Sequence, residues 1–140
     1  MPNPDYFTGN YRVEIAQELR FELPTHIRMQ ILVLQSGEYH IEYRQGLKCI
    51  QHNSNWLLNY SPKKARILSR LKLSKDIVEC RVMTPEGFKS MYALSLPDWF
   101  SLWEYFANQK NRYAISLLKA CAKEGIDVLI AQAIADQETG

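Results

Sequence analysis

Long apolar runs are missing from this 140-residue chain. Residues 31–34 and 128–130 are among its apolar stretches, and both fall far short of the roughly 20 residues a membrane-spanning helix needs, so no such helix is expected. The first five residues, Met-Pro-Asn-Pro-Asp, carry no basic region followed by an apolar stretch. No signal peptide is expected, and the protein is placed in the cytoplasm. Cysteine is scarce: Cys49, Cys80 and Cys121 are odd in number and far apart, which argues against a disulfide framework and for reduced packing residues. Together with His26, His40 and His52 they show no ligand-like spacing, so neither a metal nor another cofactor is expected. GxSxG and P-loop motifs are absent as well. Asp76 and Glu79-Cys80-Arg81 only imitate the acid and acid-x-Lys pattern of a PD-(D/E)xK metal-dependent nuclease, with Arg in place of Lys. A protein without enzymatic activity or small-molecule substrate is expected, with that nuclease as the least favoured alternative.

The most informative absence is acidic charge between Tyr43 and Lys75. Eight basic residues stand there (Arg44, Lys48, Lys63, Lys64, Arg66, Arg70, Lys72 and Lys75) with no Asp or Glu. The window carries +8 and the remainder, nine basic against all 15 acidic residues, carries −6, so the net charge of +2 hides a strong asymmetry. Single-sign charge interleaved with Trp56, Tyr60 and amides is the composition of a polyanion-binding surface. The competing explanation is a solvated face whose acidic partners lie elsewhere in the fold.

Hydrophobic periodicity supplies the elements. Ile27, Met29, Ile31 and Val33 alternate with Arg28, Gln30 and Leu32; Ser36-Gly37 interrupts; Tyr39, Ile41 and Tyr43 resume, which predicts a hairpin. Upstream, Ala16, Leu19 and Leu23 suit a short helix ending before Pro24, and Val13 and Ile15 suit a strand equally well. Leu47, Ile50, Trp56, Leu57 and Tyr60 predict two short helices around the polar turn 51–55. Ser61-Pro62 starts the next helix, with Ser as N-cap and Pro where no hydrogen bond is lost, running to about Leu71. Lys63, Arg66 and Arg70 fall on one face of it and Ile67, Leu68 and Leu71 on the other, with Lys64 misplaced among the apolar positions. Residues 77–83 and 88–95 flank Thr84-Pro85-Glu86-Gly87 as a second hairpin. Pro97 and Asp98 open a helix whose Trp99, Leu102, Trp103 and Phe106 form a buried stripe, and a last helix is expected over residues 112–135. The expected architecture is α+β: two short β-hairpins packed with small helices and a long C-terminal helix. It forms a single domain, with an N-terminal segment (1–24), hairpins and a basic helical region (25–96), and C-terminal helices (97–140).

Lys63 and Lys64 in a first helical turn oppose the helix dipole unless an anion such as phosphate sits there. Gln51, His52, Asn53 and Asn55 just upstream are planar donors and acceptors of the kind that read bases, or simply turn residues. These four and the eight basic residues are the candidate contacts to duplex DNA. A protein-interaction adapter docking an acidic partner is the alternative. The last helix is apolar over nearly half its circumference. Its surplus is expected to pack under the segment from Tyr11 to Leu23 or against a second copy; Ile115, Leu118, Ala122 and Leu129 are the candidate contacts of a homodimer.

Several stretches carry a likeness: Gly37-Glu-Tyr-His-Ile41, Cys49-Ile50, Asn55-Trp-Leu-Leu-Asn-Tyr60, Ser61-Pro-Lys-Lys-Ala-Arg-Ile-Leu-Ser-Arg-Leu71, and Gly87-Phe-Lys-Ser-Met-Tyr-Ala-Leu-Ser-Leu96 followed by Trp99, Trp103 and Phe106. Between Gly37 and Asn108 the chain resembles the KilA-N, BRO-N and phage antirepressor group of small DNA-binding domains. It departs from that pattern at Phe88, where a Trp is frequent, and over its last 30 residues. The resemblance implies DNA binding through the helical part, supported by hairpins, and a role in transcriptional, phage or mobile-element regulation.

Overall fold

The computed structural model describes residues 7–23 and 26–139, so the first five residues and Pro24, which bear on two of the expectations above, lie outside the described part. Strand β1 (Tyr11–Glu22) occupies the segment that read equally as helix or strand. It is followed by β2 (Arg28–Leu34), β3 (Tyr39–Glu42), α1 (Gln45–Lys48), α2 (Pro62–Arg70), β4 (Ile77–Thr84) and β5 (Gly87–Ser95). Three helices close the chain: α3 (Leu96–Asn108), α4 (Arg112–Glu124) and α5 (Ile126–Thr139).

Both hairpins exist, but they are not separate units. The five strands close into a barrel in the order β1-β2-β3-β5-β4, which corrects the expected fold of two hairpins packed with helices. The cause is β1, whose 12 residues are long enough to serve two neighbours. Its second half pairs antiparallel with β2, Ala16 opposite Leu34 through Glu22 opposite Arg28. Its first half runs parallel to β4, Tyr11 opposite Ile77 through Ala16 opposite Val82. β3 bridges β2 and β5 and completes the ring.

Alternation decides what each strand face meets. Ala16, Leu32, Leu34, Val78, Cys80, Val82 and Ala93 form one buried cluster, the waist of the lumen. On β1 the same face carries Arg12 and Glu14 before Ala16 and Glu18 and Arg20 after it, so the two ends of the lumen are charged. The outer face splits. Leu19, Met29, Ile31, Ile41 and Leu94 lie under the helices in the main core with Trp99, Leu102, Trp103 and Leu117. Tyr11, Val13, Ile15, Met83 and Phe88, on β1, β4 and β5, remain exposed.

The C-terminal region also differs from expectation. Gly125, at φ +77°, ends α4 and separates it from α5, a left-handed conformation that favours glycine. The single long helix over 112–135 is therefore two helices. α4 buries Ala114, Leu117, Ala120 and Cys121, and α5 buries Ile130. α5 lies beside β1, with Leu129 and Ala133 facing a groove shared with Leu19 and Phe21. Of the candidate dimer contacts, Leu118 and Leu129 pack against the core, while Ile115 and Ala122 are exposed. A surplus calculated for one continuous helix no longer argues for a second copy. The three cysteines are free and buried.

Candidate functional site

The basic window does not fold into one surface element. Its first part makes the turn and α1 at the end of β3, where one helical turn and a series of tight turns replace the two short helices expected. The Glu42 carboxylate accepts from the Arg44 and Gln45 backbone N–H groups at 3.1 and 3.3 Å and so tethers the turn. Two indoles fasten this segment from below: Trp99 Nε1 donates to the Ile41 carbonyl at 2.8 Å and Trp103 Nε1 to the Gly46 carbonyl at 2.9 Å. Gly46 is required by close approach, because a Cβ there would meet Trp99 Cε2 and Cη2 at 2.5 Å.

Arg44 and Lys48 consequently line a cleft of about 270 Å³ at one end of the barrel. Residues of the inner strand faces complete it: Glu18 and Arg20 from β1, Gln30 from β2, Glu42 from β3, Lys89 and Met91 from β5. Arg20 pairs with Glu18 at 2.7 Å. The side chains of Arg44, Lys48 and Lys89 have no carboxylate partner among the described residues. Arg20 and Lys89 lie outside the basic window and were missed, although each follows an apolar residue in an alternating stretch.

The second part of the window is α2 and the chain leading to β4. Ser61 caps α2 as expected, its Oγ accepting from Lys64 N at 3.2 Å. Lys63, Arg66 and Arg70 are exposed on it, and Lys72 and Lys75 follow, also exposed. None of the five forms an ion pair with a carboxylate of the described residues. Lys64 is different. Its Nζ donates to the carbonyls of Trp56 and Asn59 at 3.0 and 3.1 Å and lies 5.2 Å from the centre of the Trp56 ring. That arrangement explains a lysine among apolar positions: the stem packs while the ammonium satisfies turn carbonyls.

The four candidate base readers divide in the same way. His52 is half-buried, its ring 4.4 Å from that of Phe106 and 6.1 Å from that of Trp56. Burial, and then the Lys64 charge, lower its pKa. Asn53 Oδ1 accepts from Asn55 N at 3.0 Å, the bond of an Asx turn. Gln51 and Asn55 are exposed, Gln51 at φ +52°.

The opposite end of the barrel holds a second polar cluster around a space of about 200 Å³. Arg12 Nη2 contacts Glu38 at 3.1 Å, and His40, only 2% exposed, places Nε2 3.4 Å from the same carboxylate. His40 Nδ1 has no hydrogen-bond partner among the described residues. Burial lowers the His40 pKa, with Glu38 opposing. Asp98, also buried, accepts from Ser74 N at 3.2 Å, and burial raises its pKa. Asp76 and Glu79 do not form the nuclease pattern: the Glu79 carboxylate accepts from Tyr11, Arg81 and Ser90 on the outer barrel face. Among the described residues no three acidic, His or Cys side chains are grouped to hold a metal ion. Nor is any helix of the described residues long and apolar enough to cross a membrane.

Comparison of the chain with protein-family models, with curated proteins and with solved structures found no match.

Proposed function

We propose that the protein is a non-catalytic DNA-binding protein that grips the duplex backbone through α2 and the chain leaving it. One observation carries the reading: Lys63, Arg66, Arg70, Lys72 and Lys75 are exposed within 13 residues, with no carboxylate partner among the described residues. A face of merely solvated charge would have acidic neighbours, and the ion pairs of the described residues involve Arg12, Arg20, Arg81, His26 and His40 instead. Cations that repel one another at this density are relieved by a polyanion. Sequence preference on this reading falls to Gln51 and Asn55, since His52 and Asn53 serve the local structure. A regulatory role in transcription or in a mobile element is what the likeness noted in the sequence implies.

The test is a gel-shift series over salt with random duplex. With about four phosphates neutralised, log affinity falls against log salt with a slope of about −3 to −4. Salt-insensitive affinity, or no binding by the folded protein at low salt, refutes the reading. A protein-interaction adapter is the second reading, favoured by the exposed Tyr11, Val13, Ile15, Met83 and Phe88 on the barrel. It requires an acidic protein to bind in place of duplex.

A further inference from the structure

We propose that the cleft at the barrel mouth is a binding site for a small anion bearing two adjacent phosphate groups, separate from the duplex-binding face. Barrel mouths are common ligand sites because the strands hold convergent side chains on a rigid rim. Here the converging groups are cationic. Arg20, Arg44, Lys48 and Lys89 meet Glu18 and Glu42 around about 270 Å³. Glu18 is engaged by Arg20, and Glu42 by the backbone N–H groups of Arg44 and Gln45, and Arg44, Lys48 and Lys89 form no ion pair with a carboxylate of the described residues.

Three further properties define the ligand. Arg44 and Lys48 stand on either side of Gly46, whose carbonyl is bound by Trp103 Nε1, so the rim is preorganised before a ligand arrives. An arginine fork and two lysine point charges around one opening suit phosphate oxygens, the fork by paired hydrogen bonds and the lysines as monopoles. A cleft of about 270 Å³ has room for a diphosphate group.

The experiment is calorimetric titration of the intact protein with inorganic pyrophosphate at low salt, repeated on Lys89→Ala, Arg44→Ala and, as a control, Lys63→Ala. Saturable one-site binding is expected, weakened about tenfold or more by each of the first two changes and unaltered by Lys63→Ala. Lys89→Ala should leave duplex affinity within twofold of the parent. Lys89→Glu, with thermal unfolding unchanged, should abolish pyrophosphate binding. Absence of saturable binding, or equal weakening by Lys63→Ala and Lys89→Ala, overturns the proposal. Duplex binding lost in Lys89→Ala as in Lys63→Ala also overturns it, because the mouth then serves nucleic acid. If duplex never binds while pyrophosphate titrates as expected, the DNA reading fails and this one stands.

Discussion

Replacing Gly46 with alanine tests how the barrel mouth is built. In an ordinary helix the change is favourable by about 1 kcal/mol, because alanine loses less backbone entropy than glycine. Here the new Cβ would lie 2.5 Å from Trp99 Cε2 and Cη2, and the ring has nowhere to go. Trp99 is fully buried, its centre is 5.9 Å from that of Trp103, and its Nε1 is bonded to the Ile41 carbonyl. Relief requires either an overpacked core, costing about 1–3 kcal/mol, or loss of a buried hydrogen bond, costing about 1–3 kcal/mol. After the helical gain is subtracted, Gly46→Ala should destabilise the protein by about 1 kcal/mol. At roughly 3–4 °C per kcal/mol for a chain of this size, the thermal midpoint drops by about 3–4 °C. Near-UV circular dichroism should change with it, because the displaced chromophore is an indole. A midpoint equal to or above that of the parent would refute the claim that α1 is pinned against Trp99.

Lys64→Met should lower stability by about 1–2 kcal/mol in a urea melt, because the carbonyls of Trp56 and Asn59 lose a charged donor. It should leave duplex affinity within twofold, whereas Lys63→Ala weakens binding to all sequences alike; the opposite ranking would return Lys64 to the binding face. Burial lowers the His40 pKa, so the unfolded chain takes up that proton first. Stability from His40 is fully present above about pH 6.5 and falls as pH drops towards the folded value, by at most about 1.4 kcal/mol per pH unit. His40→Gln should flatten this limb in melts from pH 7 to 5, and an unchanged limb would assign it elsewhere. Asp98, raised by burial, acts in the opposite sense in the ordinary carboxylate range, where its protonation relieves the cost of a buried charge. Supercoiled plasmid incubated with the protein and Mg²⁺ or Mn²⁺ should remain intact; cleavage abolished by Glu79→Ala would establish a nuclease.

The elements legible in the sequence were those with local causes. Ser36-Gly37 and Pro85-Glu86-Gly87 mark turns whatever the rest of the chain does, and Ser61-Pro62 marks a helix start. The barrel was illegible because its closure is not local. Tyr11 pairs with Ile77, and no property of residues 11–16 names a partner that far along the chain. The break at Gly125 was hidden for a different reason: one glycine costs a helix only about 1 kcal/mol, so periodicity on either side outweighs it until the positive φ is seen. The basic window has no acidic residue of its own, yet the fold brings Glu18 and Glu42 beside Arg44 and Lys48. Its division between α1 and α2 depends on where β3 ends and how α3 packs, which composition does not encode.

The charged ends of the lumen connect these two failures. A strand lining a closed barrel is expected to turn its apolar side inward, yet β1 does so fully only at Ala16. At about 3.3 Å per residue its 12 residues span roughly 40 Å, longer than the apolar waist. Beyond the waist the inner face is open to water, so the side chains of Arg12 and Glu14 at one end and Glu18 and Arg20 at the other keep contact with solvent and pair with each other. Outward, the first half of β1 carries Tyr11, Val13 and Ile15 in the open, and the second carries Leu19 and Phe21 beneath the helices. The strand thus reads as polar where it faces in and apolar where it faces out. Inverted alternation keeps the period of two that betrays a strand while reversing the usual cue to which face is inside. The same inversion concentrates charge at the mouth: inward positions past the waist bring charged side chains of β1, β3 and β5 together with those of Arg44 and Lys48.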